Sequence, residues 1–151
     1  MREAEFLAEQ IRVTFEGDSW HGPSVAKVLE GVDYNQARAK PLPDRHSIWE
    51  LVEHINTWMN AANWAVENRR IYDPKNIVDW PPVGRTVEEW GQSTARLGLT
   101  VTRLIHSLTG WRDEDLDEII DGGKYSYRFL LHGVVQHNVY HAGQISILKR
   151  K

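Results

Sequence analysis

Two histidines, His137 and His141, lie four residues apart in the stretch GVVQHNVYHAGQI at 133–145. If this stretch is helical, both point to the same side as the apolar residues around them, because positions four apart share a helix face. A metal ion about 2.0–2.1 Å from each ring nitrogen fits between two such imidazoles. The same spacing also occurs on helix surfaces and among hydrogen-bonded polar residues of a core, so the pair alone leaves both interpretations open. It is not the HExxH motif of zinc proteases, since Asn138 follows His137.

The best candidate for a third ligand is His54, in HSIWELVEHINTW at 46–58. It shares a helix face with Leu51 and Trp58, which makes it the other histidine well inside an apolar helical pattern. The remaining histidines are less well placed: His21 and His46 are in loops or at a cap, His106 is just off an apolar face, and His132 points away from the His137 stripe. Three protein ligands leave a coordination position open, as in catalytic metal sites, whereas structural zinc sites are usually closed by four.

Four further side chains are candidates for catalysis, each with a simpler alternative. Glu50, one turn before His54, could support a ligand or act as a base, but its spacing from Ser47 also makes it the acid of a capping box. Gln144, three residues after His141, could hydrogen-bond a ligand ring or be an ordinary surface glutamine. Tyr140 could donate a proton or serve in packing. His21, in Trp20-His21-Gly22, could meet substrate at the pocket or be merely exposed.

Four long amphipathic helices must position these residues. The periodicity predicts helices over 3–15, 47–68, 86 to about 108, and 126–148, with one short helix within 19–32. The proline-rich stretch 72–85 must be a loop, and the acidic run 112–121 reads as a solvated connection, with a metal-binding loop as the alternative. We therefore predict an all-α four-helix bundle and a single domain over 1–151.

The composition limits the chemistry further. The chain has no cysteine, which excludes disulfides, thiolate metal ligands and a cysteine nucleophile. If the protein is an enzyme that transfers a thiol, that thiol must therefore arrive as a co-substrate. A net charge of −3 gives no electrostatic reason to expect nucleic acid as a partner. No apolar run is long enough to span a bilayer, and we expect a cytoplasmic protein without a membrane partner.

Three stretches in this order resemble the DinB/YfiT-like family of metal-dependent enzymes: SWHGPSVAKVLEGV at 19–32, HSIWELVEHINTW at 46–58 and GVVQHNVYHAGQI at 133–145. The resemblance implies a four-helix bundle, commonly with up-down-down-up topology and often dimeric. It also implies a divalent metal, typically nickel or zinc, held by three histidines, which correspond to His54, His137 and His141.

Relatives in that family include thiol-dependent S-transferases and isomerases that use bacillithiol, mycothiol or glutathione. By this resemblance, the chain is expected to be a metal-dependent S-transferase, with a low-molecular-weight thiol as co-substrate, or a hydrolase. Its partners would be a small-molecule substrate and a second copy of itself. The alternative is a non-catalytic helical bundle whose metal is structural or incidental.

Overall fold

The computed structural model describes residues 1–149, and helices dominate them. In chain order the elements are α1 (Glu3–Glu16), β1 (Asp18–Ser19), β2 (Gly22–Pro23), α2 (Val25–Leu29), α3 (Tyr34–Arg38), α4 (Ile48–Asn68), a 3₁₀ turn (Pro74–Asn76), α5 (Val87–Ser107), α6 (Asp113–Asp117) and α7 (Tyr127–Lys149). The all-α prediction is confirmed. The four long helices lie within two residues of their predicted bounds.

Local signals set the starts of the two central helices. At the start of α4, the Glu50 backbone N–H donates to Ser47 Oγ at 3.2 Å, and the Ser47 N–H donates back to Glu50 Oε2 at 2.7 Å. Thr86 and Glu89 make the same reciprocal pair at the start of α5. Each capping box satisfies backbone donors that have no partner within the helix.

Contacts between α4 and α5 occur in the same order along both helices. The Trp49 indole N–H donates to Ser93 Oγ at 2.9 Å near the start of each helix, and the Asn63 amide donates to the Thr100 carbonyl at 2.8 Å further along. These two helices therefore run in the same direction, which requires the long 69–86 connection between them.

Helix α7 runs opposite to α4 and in the same direction as α1. The Tyr127 hydroxyl lies 3.4 Å from the Ala65 carbonyl at the end of α4, whereas the histidines further along α7 meet the first half of α4. The amide of Asn138 reaches Thr14 at the end of α1, at 3.4 Å. The result is that α7 carries its histidine pair past the middle of the bundle to the side chain of His54.

The core consists of apolar side chains from all four long helices. Trp49 is fully buried and packs edge-on against Trp90, with ring centroids 5.5 Å apart, whereas Trp58 remains 38% exposed. Burying a large apolar side chain contributes about 1.5–3 kcal/mol before entropy is counted. The two buried histidines, His54 and His141, lie beside this large apolar core.

The structure adds short elements to the predicted bundle. The prediction had one short helix, but α3 and α6 are also present, together with a two-strand hairpin whose strands are too short to show an alternating pattern. The acidic run folds as α6 because the Arg112 N–H donates to Asp115 Oδ2 at 2.8 Å and Leu116 is buried. Among residues 1–149, no helix is long and apolar enough to cross a bilayer.

Candidate metal centre

His54, His137 and His141 come together between α4 and α7. The Nε2 atom of His137 lies 3.0 Å from Nε2 of His54 and 3.0 Å from Nε2 of His141. His54 and His141 are 7% and 4% exposed, and His137 is half-buried. The structure therefore brings three imidazole nitrogens from two helices to one point.

The spacing of these nitrogens fits a shared metal ion. Two nitrogens about 2.0–2.1 Å from one ion are about 2.9 Å apart at a right angle and about 3.3 Å apart at a tetrahedral angle. The 3.0 Å separations lie within that range. These three histidines form a group that could hold a metal ion, and imidazole suits zinc, nickel, copper and iron.

Hydrogen bonds on the far side of two rings fix which nitrogen faces the centre. His54 Nδ1 lies 2.9 Å from the backbone carbonyl oxygen of Asp79 and 3.1 Å from its carboxylate Oδ1. His141 Nδ1 lies 2.6 Å from Gln144 Oε1. Because these oxygens can only accept, both Nδ1 atoms carry the proton and both Nε2 atoms present a lone pair to the centre. Metal-binding histidines usually have this arrangement.

Burial keeps His137 and His141 in the neutral form that binds metal. Desolvation lowers the pKa of His137 to about 3, and His141 and His54 push the pKa in the same direction. Burial also lowers the pKa of His141, against the opposing effect of its hydrogen bond to Gln144. At neutral pH, both imidazoles therefore keep a free lone pair, as ligation requires.

The proline-rich loop between α4 and α5 supports His54. The Trp80 ring is stacked between His46 and His54, with centroid distances of 3.4 and 4.0 Å and interplanar angles of 5° and 8°. The Trp58 indole N–H donates to Asp79 Oδ1 at 2.7 Å. The sequence did not identify Asp79 or Trp80 as parts of the site. The signal available for them was the proline-rich composition of the loop, which does not show where the loop packs.

Two cavities border the histidine group. One, of about 370 Å³, is lined by His141 and Gln144 together with His46, Trp80 and Tyr140, among others. The other, of about 220 Å³, is lined by His137 and mostly apolar side chains, including Trp58 and Phe129. A small molecule therefore has space next to His141 and next to His137.

The four candidate catalytic side chains are placed differently. Gln144 and Tyr140 border the His141 cavity. The Tyr140 ring packs edge-on against the His141 ring, with the ring centroids 5.0 Å apart. Glu50 lines neither cavity. It caps α4 and lies 2.9 Å from Lys40 Nζ. Although burial opposes ionisation, the Ser47 N–H and Lys40 hold the pKa of Glu50 below its usual range.

His21 lies in the exposed turn of the hairpin formed by β1 and β2. The hairpin borders a separate cavity of about 900 Å³, and none of the three clustered histidines lines it. The turn, for which substrate contact was one of two interpretations, thus belongs to a hairpin that borders a cavity that the three clustered histidines do not line.

The all-α fold and the three convergent histidines place this chain in the class of helical proteins with a candidate metal site. The sequence model of the DinB superfamily matches residues 19–145, and the chain belongs to that superfamily. The family resemblance seen in the sequence is thereby confirmed. Searches of curated proteins and of solved structures return no match.

Proposed function

We propose that this protein is a metal-dependent enzyme that binds a divalent ion, nickel or zinc, through His54, His137 and His141. Its reaction would be either transfer of a small thiol to a small-molecule electrophile or hydrolysis of a small molecule. The observation that carries the proposal is the pair of outer hydrogen bonds, to Asp79 and Gln144, which turn two Nε2 lone pairs toward the third histidine.

The ligand count supports catalysis over a purely structural role. A bound divalent ion supplies Lewis acidity, which lowers the pKa of water or of a thiol placed next to it. Within the described residues, the clustered group offers three ligands, which leaves room for such a molecule. The sequence contains no cysteine, so in a transferase the sulfur belongs to a co-substrate.

The chain's own residues then have distinct roles. Gln144 orients the His141 ring and is a positioning residue. Tyr140 borders the cavity next to His141, and we assign its hydroxyl as the group that hydrogen-bonds or protonates a substrate there. Glu50 is engaged in capping α4, and we assign it no role in the reaction.

The alternative is a non-catalytic bundle with a structural or incidental metal. The size of the apolar core argues against a structural need, since it includes large side chains such as Leu7, Ile11 and Trp49 that are fully buried. The two cavities beside the site also favour a binding role over a closed structural site.

Metal analysis of the purified protein tests the proposal. We expect about one nickel or zinc ion per chain after loading, and loss of that ion in His137→Ala. His132→Ala is the matched control, because His132 lies on the same helix but is exposed and near Glu3. A wild-type protein that takes up no stoichiometric ion would overturn the metal site.

Activity assays then separate the two reactions. Thiol-conjugation assays with bacillithiol, mycothiol and glutathione, run beside ester and amide hydrolysis assays, would identify the transferase or the hydrolase. A metal-loaded protein that is inactive in all of them would favour the non-catalytic alternative.

A further inference from the structure

Two adjoining cavities border the site next to His137. His137 lines the first, of about 220 Å³, and none of the three clustered histidines lines the second, of about 390 Å³. Three side chains, those of Trp58, Tyr125 and Leu130, line both cavities. We call the two cavities together the His137 groove, because the shared side chains join them into one surface that leads away from the metal centre.

The groove follows α4 away from His54. Ile55, the next residue in the chain, lines the first cavity, and Ala65, ten residues later, lines the second. On α7, which runs in the opposite direction, the residues that line the first cavity extend back from His137 to Leu130. Ten residues of helix span about 15 Å. An extended alkyl chain advances about 1.25 Å per single bond of about 1.5 Å, so about 12 carbons cover that distance.

The lining of the groove favours an apolar ligand. Lys124 is the one formally charged side chain among the described residues that line it, and it is exposed, so its ammonium group can remain in water. The other residues that line the second cavity are alanines, glycines, larger apolar residues and two tyrosines. A charged group placed among them would leave water without gaining hydrogen bonds in return, which is unfavourable.

Small residues on both helices keep the groove open. Ala61, Ala62 and Ala65 line the second cavity, where larger apolar side chains would fill the space. Gly133 lines the first, and a Cβ atom added to it would meet nothing within 4 Å. Protein interiors are otherwise closely packed, and an apolar cavity beside convergent polar groups is the usual form of a ligand site.

An exposed aromatic side chain stands at the rim of the first cavity. Phe129 is 67% exposed, and its ring lies beside that of Tyr125, with the ring centroids 5.4 Å apart. An apolar chain in the groove would cover part of both rings. Because that removes apolar surface from water, it favours binding.

The cavity next to His141 has a different chemistry. Asp44, Arg45 and Gln144 are among the residues that line it. Charged and amide side chains suit a polar ligand, such as the small thiol of the transferase reaction proposed above. The apolar groove and this polar cavity therefore suit two different molecules, one next to His137 and the other next to His141.

We propose that the substrate of this site carries an uncharged, unbranched apolar chain of about 12 carbons, a length set by the span of α4 along the groove. The chain lies in the His137 groove, and the reacting group is at the His137 end. The position of the reacting group rests on the function proposed above, whereas binding of the chain depends on the groove alone.

A series of 1-alkanols tests the groove in metal-free protein. Each alkanol displaces the neutral fluorescent dye N-phenyl-1-naphthylamine, and the displacement gives its affinity. We expect affinity to rise about 3- to 4-fold per added methylene and to level off at about 12 carbons. A series without length dependence, or one that levels off at about 5 carbons, the length of the first cavity alone, overturns the proposal.

Leu130→Trp places a larger side chain where the two cavities meet. The series should then level off at about 5 carbons, because Ile55 and Met59 mark the extent of the first cavity on α4 and are about 6 Å apart along the helix. Leu99→Trp is the matched control, since Leu99 is 73% exposed on α5 and lines neither cavity. Circular dichroism and Tm verify that both variants fold. An unchanged limit in folded Leu130→Trp overturns the proposal.

A comparison of head groups tests which end of the chain lies at His137. In nickel-loaded protein, 1-decanethiol should bind at least about 10-fold more tightly than 1-decanol, because a thiolate is a good ligand for nickel. In metal-free protein, the two should bind about equally. Equal affinities in the loaded protein overturn the position of the reacting group.

The groove and the metal site can fail independently, because the alkanol series requires no bound metal. A protein that shows the expected series but takes up no metal would contradict the proposed function and the position of the reacting group, and it would leave the groove as an apolar binding site. A metal-loaded protein without the length dependence would overturn the groove and leave the proposed function standing.

Discussion

The Trp58 indole N–H donates a hydrogen bond of 2.7 Å to Asp79 Oδ1, and the backbone carbonyl of the same Asp79 accepts from Nδ1 of His54. Trp58 and His54 are one helical turn apart on α4, so the loop is tied to the helix at two adjacent points. Trp58 touches none of the three convergent nitrogens, but its hydrogen bond to Asp79 helps to hold the orientation of the His54 imidazole.

Replacing Trp58 by Phe should weaken metal binding modestly. The substitution keeps an aromatic ring but removes the donor to Asp79, while the carbonyl contact with His54 remains. We expect a loss of about 2- to 10-fold in affinity, less than for a residue that contacts a ligand directly. A competition titration with a chromophoric chelator measures it. Trp64→Phe is the control, since Trp64 packs against Tyr72 instead. An equal loss in both variants would contradict the role given to Trp58.

Replacing Gln144 by Leu should have a larger effect. The change keeps the approximate volume but removes the acceptor 2.6 Å from His141 Nδ1, so the ring loses the contact that fixes its tautomer. Affinity should fall by about 10- to 100-fold, with little change in Tm of the metal-free protein. Gln92→Leu, on the exposed face of α5, provides the comparison. Unchanged affinity in Gln144→Leu would mean that the His141 ring is held by packing alone.

Acid titration of stability tests the role of Glu50. The pKa of Glu50 is lower in the folded protein than its ordinary value of 4.5, so the ionised carboxylate stabilises the fold fully at pH values above 4.5. This contribution is lost as the pH falls through the pKa of the folded state. Glu50→Gln should therefore have a lower Tm than wild type at pH 7, and the difference should shrink on acidification toward pH 3.

Glu16→Gln, which removes an exposed carboxylate at the end of α1, is the comparison variant for loss of a charge as such. Metal content and turnover of Glu50→Gln should match wild type. If turnover collapses while the metal content is unchanged, Glu50 takes part in the reaction, and its role is not limited to capping α4.

Removing the metal should leave the fold intact. Because all four long helices contribute to a large buried apolar core, the chelated protein should keep its helical circular dichroism signal. A metal present at 100 times its Kd adds about 2.7 kcal/mol. For a domain of this size, that corresponds to a rise in Tm of about 5–10 °C. Unfolding on chelation would instead identify a structural metal.

The sequence was most informative where the determinants are local. The capping boxes at Ser47 and Thr86 and the apolar periodicity were enough to place the four long helices, and His54 followed from its face on the second of them. Asp79 and Trp80 could not be placed, because a loop with three prolines has a restricted backbone but no periodicity to show where it packs. The hairpin that carries His21 was missed because strands of two residues leave no alternating pattern.

The order of synthesis gives the contact between His54 and His137 a further consequence. These residues are 83 positions apart in the chain. At the usual elongation rates of about 5–20 residues per second, His54 emerges roughly 4–17 s before its partners. During that time, α4 and its loop can form while the three-nitrogen group does not yet exist. Any metal held by all three histidines is therefore acquired only after α7 has been made and has docked.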